Sequence, residues 1–145
     1  MTHRRTTLVI AMLALATTRP AHADDVSDLV IGLKAGVHAR ARVAHEVLED
    51  QGYDCLDRPP NGASVGCYGP GNVMFVALGD PIEFNAYYFS NHPRVVCDYL
   101  ESTLRRRRGR PDQYVDGFPV WLVSGQKALM VGMQDGRCTI GVGLR

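Results

Sequence analysis

His38, His45 and Glu49 are the first residues whose types and spacing could do chemistry. Spacings of seven and four bring them to one face of a helix, and an imidazole beside a carboxylate can hold a metal ion or move a proton. The segment His45-Glu46-x-x-Glu49 has the opening of a metalloprotease helix. That motif needs a second imidazole four residues after the first, and Glu49 stands there instead. The expectation is a solvated polar face shared with Arg42, with no bound metal and no other cofactor. His92 is the third histidine of the body of the chain. His38, His45 and His92 carry the enzymatic alternative, a small hydrolase. Ser124 precedes Gly125 but has Leu122, not glycine, two residues before it, so no nucleophile elbow is formed.

Arg105, Arg106, Arg107, Arg108 and Arg110 form the densest charge run. Such a run can meet nucleic acid, anionic lipid or an acidic protein. At the end of a helix it is also favoured by the backbone dipole, and successive side chains fan around the axis. Tyr87, Phe89 and Trp121 lie on strands, where alternation sends every second side chain to the same face. They are expected to cluster on the open face of a sheet as a binding patch, with the arginines steering from an edge. The competing expectation is a small apolar cluster covered by the N-terminal segment or by loops.

Four cysteines bear on the setting: Cys55, Cys67, Cys97 and Cys138. An even number in an exported domain reads as disulfides. Of the three possible pairings, Cys55–Cys67 and Cys97–Cys138 are expected. The first would close a turn-rich segment; the second would tie a helix to the last strand. No Cys-x-x-Cys pair suggests zinc.

Export itself is read from residues 1–23. His3, Arg4 and Arg5 precede the apolar run Leu8–Ala16, and Ala21-His22-Ala23 ends the segment before Asp24-Asp25. This is the charged, apolar, small-x-small order of a cleaved signal peptide. The apolar run is about half the roughly 20 residues a spanning helix needs, so no stable membrane anchor is expected after cleavage. Of the 16 basic residues, Arg4, Arg5 and Arg19 belong to this leader, so 13 remain against 15 acidic ones, a net charge of −2. That balance argues against nucleic acid as a partner.

Residues 24–145 must then position these groups as a single α+β domain. Val26, Val30, Leu33, Val37, Ala41, Ala44 and Leu48 recur at helical spacing. Gly32 and Gly36 weaken the early part, so the firm helix is Val37 to Gln51, ended by Gly52, with a turn or loose helical extension before Gly36. Ser64–Tyr68, Val73–Leu78 and Ile82–Phe89 predict an antiparallel meander, with Ile82, Phe84, Ala86 and Tyr88 on one face. A second helix is capped by Ser90 or Asn91, carries Pro93 in its first turn, buries Val96, Leu100, Thr103 and Leu104, and stops at Gly109 and Pro111. Phe118–Val123, Lys127–Gln134 and Arg137–Leu144 are strands, the last two joined by Asp135-Gly136. Two αβββ-like units follow, their two helices packed on one antiparallel sheet. The expected function is a periplasmic or extracellular, non-enzymatic protein-binding module, inhibitor- or immunity-like, whose partner is another envelope or extracellular protein. Besides the hydrolase, a carrier of a small apolar ligand between helix and sheet is the other alternative.

Overall fold

The computed structural model describes residues 23–145. The expected leader therefore lies outside the described residues, apart from Ala23, which opens the first helix.

Helix α1 (Ala23–Gly36) buries Val26, Leu29, Val30 and Leu33. Helix α2 (Ala41–Asp50) buries Ala41 and Leu48. The apolar stripe over residues 26–48 is thus divided between two helices at Gly36, and the second begins at Ala41 rather than at Val37. The division is imposed from elsewhere in the chain. His38 takes a left-handed backbone conformation (φ 75°). Its N–H donates to the Ile82 carbonyl at 2.7 Å, and the Ile82 N–H donates to the Ala39 carbonyl at 2.8 Å. Arg40 offers α2 no side-chain cap; instead Asp80 Oδ1 accepts from the Ala41 N–H at 3.0 Å. What looks like a loose extension is a 14-residue helix of its own.

Among the described residues eight strands form one antiparallel sheet: β1 (Asp54–Cys55), β2 (Val65–Gly69), β3 (Val73–Leu78), β4 (Phe84–Phe89), β5 (Gln113–Val115), β6 (Phe118–Val123), β7 (Lys127–Gln134) and β8 (Arg137–Leu144). Their order is β1-β2-β3-β4-β8-β7-β6-β5. Helix α3 (Pro93–Arg108) crosses between the halves. The two αβββ units are α2-β2-β3-β4 and α3-β6-β7-β8, and they meet where β4 pairs with β8. The short edge strands β1 and β5, with α1, are additions to the expected pattern.

The register fixes which residues share a face. Asn85, Tyr87 and Phe89 stand opposite Val142, Ile140 and Cys138, and Val142 and Ile140 stand opposite Leu129 and Val131. With Phe75, Ala77, Cys67 and Trp121 they form the inner face, against which the helices pack. Helix α3 contributes Val96, Cys97, Leu100, Thr103 and Leu104, all buried. Pro93 lies in its first turn and Gly109 ends it. The expected caps do not act: His92 occupies the cap position without a side-chain bond. Asn91 instead donates to the Gly71 carbonyl at 2.9 Å and accepts from Asn72.

The disulfides pair as expected. Cys55–Cys67 joins directly opposed residues of β1 and β2, and Cys97–Cys138 ties α3 to β8.

Candidate functional site

Alternation along β4 sends Phe84, Ala86 and Tyr88 to the opposite, outer face of the sheet. Phe84 is half-buried without a helix over it, because β8 has Gly141 and Gly143 beneath it: a Cβ on Gly141 would lie 2.8 Å from the Phe84 ring. Phe118 lies over Gly132 in the same way. A groove of about 240 Å³ lies beside Phe84. Tyr68, Met74, Val76, Leu78 and Tyr88 line it, and Leu56 and Pro60 of the β1–β2 loop form one bank. On the other bank the Arg137 guanidinium sits 4.9 Å from the centre of the Tyr88 ring. Tyr68 and Leu78 are 49% and 41% exposed. The surface is apolar and aromatic, with one cation stacked at its border.

This corrects the expected patch. Phe89 and Trp121 are 1% and 2% exposed, so they belong to the core. Tyr87 is partly buried on the inner face, 5.2 Å from Phe75 and 6.4 Å from both Tyr53 and Phe89 between ring centres. Trp121 is apart from them, its indole N–H donating to the Gly109 carbonyl at 3.1 Å. The expected faces are therefore exchanged by one residue, and the three aromatics do not form one patch. Desolvation pushes the Tyr87 phenol up to about 12 and, with the neighbouring Tyr87, pushes Tyr53 up further. A raised folded value favours the neutral form. The stability the Tyr87 phenol adds is complete below pH 10, its unfolded value, and is lost as pH rises through about 12. We expect alkaline unfolding in that window, with phenolate absorbance from Tyr53 and Tyr87 appearing together with loss of circular dichroism. Tyr87→Phe should lessen the fall in stability above pH 10.

The polar candidates are dispersed. His38 lies in the break between α1 and α2, so it does not share a helical face with His45 and Glu49. His45 Nε2 and Glu49 Oε1 pair at 3.1 Å on α2. His92 is on the far junction of β4 and α3. Among the described residues no three His, Cys, Asp or Glu side chains are grouped to hold a metal ion.

The arginine run is woven into the helix layer. Arg105 binds Glu101 at 3.0 Å and the Tyr114 hydroxyl of β5 at 2.9 Å. Arg106 reaches Thr103, and Arg107 donates to the Ser27 hydroxyl of α1 at 2.7 Å. Arg108 joins Ile31 and Leu104 around a small crevice, and Arg110 follows Gly109 in the exposed link to β5. The run is thus on the other side of the sheet from the outer face. Among the described residues no helix is long and apolar enough to cross a membrane.

Comparison of the chain with protein-family models, with curated proteins and with solved structures gave no match.

Proposed function

We infer that the chain is an exported, non-enzymatic module that binds another protein through the outer face of its sheet. One observation carries the reading: Tyr68, Met74, Val76, Leu78 and Tyr88 present a contiguous apolar surface that the described helices, packed on the inner face, do not cover. Surfaces of this kind, bordered by a stacked arginine, suit the buried centre of a protein interface. Two disulfides fit an oxidising compartment, and with it a periplasmic or extracellular partner. The arginines on the helix side contribute to long-range steering rather than to contact.

The test is affinity capture from native envelope and culture fluid with oxidised residues 24–145. It is run beside the variant Met74→Lys/Leu78→Lys. Leu78 is exposed and Met74 half-buried on the outer face, where a lysine can carry its ammonium to solvent, so the variant should keep its fold. A protein retained in equal amount by the wild type and lost by the variant is the expected result. Equal retention by both, or no stoichiometric protein with a folded bait, would overturn the reading. A dimer of the chain itself, broken by the same pair, would replace the foreign partner with a second copy.

A further inference from the structure

A second concavity lies on the inner face, where α1 and α2 diverge. It is a cleft of about 400 Å³. Its walls are Gly32, Leu33 and Ala35 of α1 and Val43, Ala44 and Val47 of α2; its floor is Phe75, Asn85 and Tyr87. Lining side chains that can form hydrogen bonds are Asn85, Tyr87 and Gln51, and none of the lining residues is Asp, Glu, Lys, Arg or His.

The cleft is held open by bonds at its ends. The Ile82 ladder pins its vertex at His38 and Ala39. Asn85 Nδ2 donates to the Leu33 carbonyl at 2.9 Å, and Lys127 Nζ donates to the Lys34 carbonyl at 3.0 Å, which fixes α1 against the sheet. Asn85 is 2% exposed, and its Oδ1 faces Gly36 so closely that a Cβ there would stand 2.6 Å away. Gly36 therefore has a steric reason to be glycine. Gly32 has none: a Cβ there meets nothing within 4 Å. Glycine within a helix costs about 1 kcal/mol relative to alanine. What its missing side chain leaves is room at the mouth of the cleft.

We propose that this cleft binds an uncharged, largely apolar small molecule bearing a single hydrogen-bonding group that reaches Tyr87 or Asn85. A charged ligand would lose its hydration with no opposite charge in the walls. At roughly 30 Å³ for each water-sized group, the cleft accommodates on the order of a dozen non-hydrogen atoms, the rest of a larger ligand remaining in solvent. Its size and lining match those of small-molecule sites. The site is independent of the outer face.

The test uses N-phenyl-1-naphthylamine, which is neutral and fluoresces on leaving water, and its sulfonated analogue 8-anilino-1-naphthalenesulfonate. The wild type should bind the neutral probe, and the sulfonate at least about tenfold more weakly, about 1.4 kcal/mol. Gly32→Leu fills the mouth; it should weaken the neutral probe at least about tenfold while the thermal midpoint stays or rises. Met74→Lys/Leu78→Lys should leave probe binding unchanged, which separates this site from the protein-binding reading. No binding of the neutral probe, equal binding of both probes, or full binding by folded Gly32→Leu would overturn the proposal. Were Gly32→Leu not to fold, Val43→Glu at the exposed rim decides in its place: loss of the neutral probe supports the site and retention refutes it.

Discussion

Trp121→Ala should destabilise the protein by about 3–5 kcal/mol, the range for removing a large aromatic from a packed core. The indole is 2% exposed and stands in register with Leu129, which itself faces Val142 in the central strand β8. Its removal opens a cavity beneath α3. A second loss comes from the N–H that donates to the Gly109 carbonyl and holds the end of α3 over β6. Trp121→Phe separates the two: it keeps most of the packing but cannot donate, and should cost about 1–2 kcal/mol. Tyr68→Ala, on the outer face and 49% exposed, should change stability by less than about 1 kcal/mol. Urea unfolding followed by circular dichroism measures all three, since the chain has a single tryptophan and its emission disappears with it. A Trp121→Ala variant as stable as the wild type would return the indole to the surface and with it the patch first expected there. The order Trp121→Ala, Trp121→Phe, Tyr68→Ala is the thermodynamic signature of the face assignment.

That assignment shows what could and could not be read from the sequence. Six strands were legible because each is an apolar run between turn residues, and β3, β6, β7 and β8 have the expected bounds. Alternation also divided β4 into its two sets, Phe84-Ala86-Tyr88 and Asn85-Tyr87-Phe89. It did not say which set the helices cover, because both carry two aromatic rings. Asn85, the polar member of the buried set, is satisfied by the Leu33 carbonyl, 52 residues away. The disulfide decides between the two sets once β4 is paired with β8, a pairing no local pattern shows. Cys138 must turn toward α3 to reach Cys97, and pairing β4 with β8 then carries Phe89, Tyr87 and Asn85 to the same side. Gly36 marked the end of α1, but the turn that delays α2 until Ala41 left no local trace, because Ile82 and Asp80 create it from a distant turn. The cleft depends on that break between the helices, so none of its lining residues could be read from the sequence. Strands β1 and β5 are two and three residues long, too short for any periodicity. His38, separated from His45 by the same break, shows how a helical spacing misleads when the helix does not continue.

The two disulfides should be unequal in effect. By the chain-entropy argument, a cross-link restrains the unfolded chain more as its loop lengthens. Cys97 and Cys138 are 41 residues apart, Cys55 and Cys67 only 12. The corresponding losses are about 4 and about 3 kcal/mol. Position in the fold widens the difference. Cys97–Cys138 joins α3 to β8, and β8 is hydrogen-bonded on both sides by β4 and β7. Without it, α3 is held on the sheet by the packing of Val96, Leu100, Thr103 and Leu104 and by the Trp121 and Tyr114 hydrogen bonds at its end, and opening there is global. Cys55–Cys67 fastens a two-residue strand at the edge of the sheet. Its loss first frees β1 and the loop that forms a bank of the outer groove, a local opening. Cys97→Ala/Cys138→Ala should therefore lower the urea midpoint more than Cys55→Ala/Cys67→Ala, whose main effect should be faster hydrogen exchange around Asp54–Leu56. Non-reducing peptide mapping of the wild type comes first, since Cys55 joined to Cys97 or Cys138 would refute the pairing. Equal midpoints for the two variants would mean that α3 is held by packing rather than by its cross-link. If the short bridge alone governs how the outer face engages its partner, Cys55→Ala/Cys67→Ala should impair capture while leaving the naphthylamine cleft intact, because the loop it restrains borders one site and not the other.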